Sequence, residues 1–153
     1  MNTTNSKSVL KDNLMKLNKY QLKLFYGILV HYWSAHRYFI SKQNFFNLWC
    51  ELNFLCAEVD ESFPDPFDDH ELLKSYYHEH PYYFIDILAP ELAINLLCEY
   101  FDDRIDVLTM IANKLRTEGL RAAYEFIIKE FEMVDNDMDK LINGTQERVE
   151  AYS

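Results

Sequence analysis

A chain of 153 residues fits a single domain able to bury roughly two thirds of its unfolded surface. With 49% hydrophobic and 16% aromatic residues but only 3 glycines and 4 prolines, it is too apolar for disorder and too poor in turn residues for a sandwich of short strands. Its 15 basic and 25 acidic residues leave a formal net charge of −10, which repels phosphate backbones and disfavours direct nucleic-acid binding.

The opening stretch MNTTNSKSVLKDNL holds no apolar run of signal-peptide length, and no stretch reaches the roughly 18 apolar residues of a membrane span, so a cytoplasmic protein is expected. A short first helix is expected over Leu10–Leu17, with Ser8 as its cap. From Leu22 the apolar residues Phe25, Tyr26, Leu29, Val30 and Trp33 recur at the spacing of one helix face, and Asn18 stands where that helix needs an N-cap. Ser41 offers a second cap, for a helix reaching about Val59 along a stripe of Phe45, Leu48, Trp49, Leu52 and Leu55.

The chain then breaks at ESFPDPFDD, where Pro64 and Pro66 remove donors and fix φ. A short helix from Asp68 or Asp69 to Tyr77 must end before Pro81, which pushes His80 out of the helical region. Pro90 followed by Glu91 opens a helix whose apolar residues, Leu92 through Phe101, nearly encircle it. Two more helices follow, from about Asp103 to a stop near Gly119 and from Leu120 to Phe131, and Met138, Leu141 and Ile142 add a turn or two. The expectation is an all-α, single-domain bundle of six or seven helices around a buried central helix at about 90–101, with frayed ends at about 1–7 and 145–153.

Specific chemistry is sparse in this sequence. His78 and His80 around Glu79 have donor types that suit a metal, but there is no Glu-x-x-His pair and no His-Glu-x-x-His run. Asp135, Asp137 and Asp139 start like a calcium loop, yet Lys140 and Gln146 stand where it needs glycine and glutamate, so an acidic helix start is the expectation. Cys50, Cys56 and Cys98 lie among apolar neighbours without a C-x-x-C pair and read as reduced packing residues. No nucleophile elbow or Gly-rich phosphate loop is present, so the expectation is a non-enzyme without cofactor.

The strongest feature is the distribution of charge. Residues 1–57 carry Lys7, Lys11, Lys16, Lys19, Lys23, Arg37 and Lys42 against Asp12 and Glu51, a net of +5, which leaves −15 for the rest. The stretch EVDESFPDPFDDHE holds Glu58, Asp60, Glu61, Asp65, Asp68, Asp69 and Glu71 with no basic residue, and SYYHEHPYYF follows closely. Carboxylates of one sign steer a basic partner, and tyrosines anchor an interface. The expected contact set is therefore those seven carboxylates with Tyr76, Tyr77, His78 and Tyr82, the tyrosines facing outward, while Tyr83 and Phe84 pack inward.

In size, acidity, helicity and the segment EVDESFPDPFDDHELLKSYYHEH, the chain resembles the immunity proteins of contact-dependent growth inhibition and related bacterial polymorphic toxin systems. The resemblance implies a non-catalytic antidote that blocks a basic toxin domain, often a nuclease. Two other readings accompany it. One is a phage-type inhibitor imitating nucleic acid, against which the basic amino-terminal segment argues; the other is a metal-binding helical enzyme using His78 and His80.

Overall fold

The computed structural model describes residues 3–29, 40–63, 71, 82–101, 104–131 and 137–151. They form eight helices and no strand: α1 (Thr3–Met15), α2 (Lys19–Gly27), α3 (Lys42–Val59), α4 (Tyr83–Ile87), α5 (Pro90–Tyr100), α6 (Ile105–Thr117), α7 (Leu120–Glu130) and α8 (Met138–Ala151). The helix expected between Asp68 and Tyr77 lies, apart from Glu71, outside the described residues, as does the continuation of α2 through Val30 and Trp33.

Local chemistry explains the helix starts. Asn18 and Gln21 form a reciprocal capping box: the Gln21 N–H donates to Asn18 Oδ1 at 2.8 Å, and the Asn18 N–H donates to Gln21 Oε1 at 3.0 Å. Ser41 Oγ accepts from the Asn44 N–H at 3.1 Å and opens α3. Such caps contribute about 1 kcal/mol each by satisfying donors with no partner inside the helix. Pro90 occupies the first turn of α5, where its missing N–H costs nothing. Ser8 is not a cap, because α1 already begins at Thr3 and carries the serine in its interior.

The elements close into one bundle. α6 packs against α1, α2 and α7 through Val107, Leu108, Ile111, Ala112 and Leu115, all buried. α5 lies between α1 and α3 with α4 alongside, burying Ala93, Ile94, Leu96, Leu97 and Cys98 while Glu91, Leu92, Asn95 and Glu99 face solvent. The stretch buried on every side is instead Leu22–Leu29, where Lys23 is enclosed with the apolar residues. Its ammonium meets the Asp86 carboxylate of α4 at 3.0 Å, so one of the supposed amino-terminal surface cations faces inward.

Two corners have unusual backbone. Gly119 joins α6 to α7 at φ 105° and ψ −179°, a region open essentially to glycine alone. Arg104 precedes α6 in the left-handed region at φ 52°, and its guanidinium pairs with Glu130 at 2.6 Å and lies 5.5 Å from the centre of the Phe131 ring. These contacts at the end of α7 offset a backbone cost of about 1–2 kcal/mol.

The expected fraying after residue 145 does not occur among the described residues. α8 runs to Ala151 with Thr145 and Val149 buried. Thr145 Oγ1 lies 2.5 Å from the Tyr124 hydroxyl and donates to the Leu141 carbonyl at 2.8 Å, so the polar groups that make this stretch look like a tail are used inside the bundle.

Candidate functional site

The carboxyl-terminal end of α3 builds an acidic shoulder. Asp60 ends the helix, and its Oδ1 accepts from the Ser62 N–H at 2.9 Å and the Ser62 hydroxyl at 2.7 Å. Its other oxygen accepts from the Tyr83 hydroxyl. These bonds fold residues 60–63 into a turn that drives Phe63 into the core, where its ring stacks on Tyr83 with centroids 5.7 Å apart and planes 7° off parallel. The Ser62 side chain first, and then its backbone N–H, hold the Asp60 carboxyl below the usual carboxylate range.

This geometry sorts the expected contact residues. Glu58 on the last turn of α3 and Glu61 within the anchored turn stand exposed, and Glu71 is exposed as well. Among the described residues no cation pairs with any of the three. Asp60, by contrast, is occupied by partners within its own chain. Asp65, Asp68, Asp69, Tyr76, Tyr77 and His78 lie outside the described residues, as does His80.

Tyr82 corrects the sequence reading. It was expected to face outward and is fully buried, its ring edge-to-face with Tyr26 at 6.1 Å. The reason is Gly27: a Cβ on that residue would lie 2.9 Å from the Tyr82 hydroxyl, so the missing side chain makes the notch that admits the phenol. Phe84 is buried and Tyr83 half-buried, in agreement with the inward packing expected for both.

Other candidates resolve into structural roles. Asp137 Oδ1 accepts from the Lys140 N–H at 3.2 Å and Asp139 pairs with Arg121 at 2.5 Å, which places these two acids at a helix start, while Asp135 lies outside the described residues. Burial pushes the Cys56 thiol up to about 12 and Cys98 to about 11, so both stay protonated and unreactive near neutral pH. Among the described residues no group of three or more His, Cys, Asp or Glu side chains could hold a metal ion. No described helix is long and apolar enough to cross a membrane.

The sequence reading passed over Phe46 and Phe54, which stand 48% and 42% exposed on the solvent side of α3. The signal was available in KQNFFNLWCELNFLCAEV, which holds more apolar residues than the one stripe of Leu48, Trp49, Leu52 and Cys56 that the core buries. Close by, Glu51 accepts from the Tyr100 hydroxyl at 2.6 Å, and this bond is the main reason the phenol is pushed up to about 12. Compared with protein-family models, curated proteins and solved structures, the chain matches none.

Proposed function

We propose that the chain is a non-catalytic antidote that neutralises a basic protein partner, in the manner of immunity proteins that block nuclease toxins. The carrying observation is the anchored acidic shoulder, where Glu58 on the last turn of α3 and Glu61 in the turn fixed by Asp60, Ser62 and Tyr83 stand exposed and meet no described cation. The anchored turn keeps these carboxylates close together and directs a field of one sign outward. Such a field raises the encounter rate with a cationic surface by roughly 10 to 1000-fold at low salt. Asp65, Asp68 and Asp69 extend the same charge along the chain.

The test is co-expression with the product of the adjoining reading frame. That product should arrest growth alone and be harmless with this chain. Reversing Glu58, Glu61, Asp65, Asp68 and Asp69 to lysine should leave helicity by circular dichroism unchanged. The same variant should slow association at least tenfold at low salt, with the difference shrinking as salt rises. Full protection with an unchanged association rate in that variant sinks the proposal.

A further inference from the structure

The solvent side of α3 bears more than scattered apolar atoms. Phe46, Cys50, Phe54 and Ala57 succeed one another at intervals of four, four and three residues, which places them on one line of the helix over about 16 Å. Phe46 and Phe54 are 48% and 42% exposed, and Cys50 and Ala57 are half-buried. Phe46 stacks on Trp49 with ring centroids 6.0 Å apart, so its ring is held in place.

The line has a charged flank. Exposed Lys42 stands one turn before Phe46, and beyond it the charge is acidic: Glu51 and Glu58 run beside the line and Glu61 lies past its end, all three exposed and none paired with a described cation. Elsewhere among the described residues the exposed large apolar side chains are Val9, Met15, Tyr20, Leu92 and Met110, spread over α1, α2, α5 and α6, and Val59 at the very end of α3, off this line. Scattered exposures of that kind are ordinary, whereas an aromatic line with carboxylates along its carboxyl-terminal part is the pattern of a binding face.

We propose that this line is the docking ridge for an amphipathic helix of a protein partner, whose apolar side covers Phe46 and Phe54 and whose lysines or arginines meet Glu51, Glu58 and Glu61. The inference rests on the reading of the chain as a binder of basic proteins for the sign of the partner's charge, and adds the place and the secondary structure. Side chains four apart form the row that fits the groove of a facing helix. The flanking carboxylates select a basic rim. A second copy of this chain is the poorer occupant, because a two-fold contact through this face would set the same carboxylates against one another.

The test titrates the isotope-labelled full chain with a synthetic helical peptide of roughly 18 residues, leucine on one face and lysine on the other, a length at which a helix forms in isolation. A peptide of equal composition in scrambled order is the control. The patterned peptide should saturate and shift the backbone amides between Phe46 and Glu58, and the scrambled one should bind about tenfold more weakly or worse. Phe46→Ser with Phe54→Ser should weaken the patterned peptide by at least about tenfold while circular dichroism stays unchanged. Glu58→Lys, which leaves Phe46 and Phe54 in place, should weaken it chiefly at low salt.

Equal binding of the two peptides with α3 amides unmoved overturns the docking ridge and leaves the charge reading standing. So does full protection from the toxic partner by the double serine variant. Failure of both peptides to bind overturns the ridge as well, and self-association of the wild type that the serine variant abolishes assigns the face to a second copy instead.

Discussion

Gly27 shows how much a single missing side chain organises. The Tyr82 hydroxyl lies 2.9 Å from where a Cβ would stand, inside ordinary contact distance, so α2 and the start of α4 approach closely at that point. Gly27→Ala should therefore destabilise the fold by about 1–3 kcal/mol despite the better helix propensity of alanine. Gly144, inside α8 with open space around it, is the control: Gly144→Ala should stabilise by about 0.5–1 kcal/mol. Urea denaturation of the two variants measures both, and equal signs would contradict this account. The sequence held a hint, since a glycine between Tyr26 and Ile28 in an apolar helix needs a packing reason. It held no sign of which aromatic residue fills the notch, because Tyr82 is 55 positions away. Lys23 is a similar case: its class predicts surface, and only the fold brings Asp86 within 3.0 Å.

At the scale of elements, what was legible followed from local rules. Asn18, Ser41, Pro90 and Gly119 mark boundaries where they were expected, because a cap, a missing donor or a positive φ acts within a few residues. The last helix was misread for the opposite reason. Thr145–Ser153 is polar enough to look like a tail, yet its described part, Thr145–Ala151, is helical and is tied to Tyr124, 21 residues before Thr145. Since the Thr145 proton goes to the Leu141 carbonyl, the Tyr124 phenol donates to Thr145. Thr145→Val and Tyr124→Phe should each cost about 1–2 kcal/mol and together cost less than their sum, with a coupling of about 1 kcal/mol. A double-mutant cycle from thermal or urea melts checks this, and strict additivity would deny the bond a role. Phe46 and Phe54 belong to the same lesson, because periodicity identifies the buried stripe of α3 and says little about what the opposite side is for.

For the molecule as a whole, the expected division into a basic amino-terminal part and an acidic remainder is softened by folding. Lys11 pairs with Glu91 at 3.3 Å and Lys23 with Asp86 at 3.0 Å, so two cations of the first segment meet acids of the second. Arg104, Lys114 and Arg121 are likewise paired with carboxylates, and a formal charge of −10 remains to repel itself. Raising sodium chloride from about 10 mM to about 150 mM should therefore raise the melting temperature by on the order of 2–4 °C. A fall would mean that the exposed ion pairs, weakened by the same salt, outweigh the repulsion. The order of contacts has a further consequence for synthesis. α1 completes its packing only against α5 and α6, about 100 residues later in the chain, which at ribosomal rates means roughly 5 to 20 s without its native neighbours. The apolar run Leu22–Leu29 likewise lacks its partners in α6 and α8 until they are made, so the nascent chain is where a chaperone would be needed most.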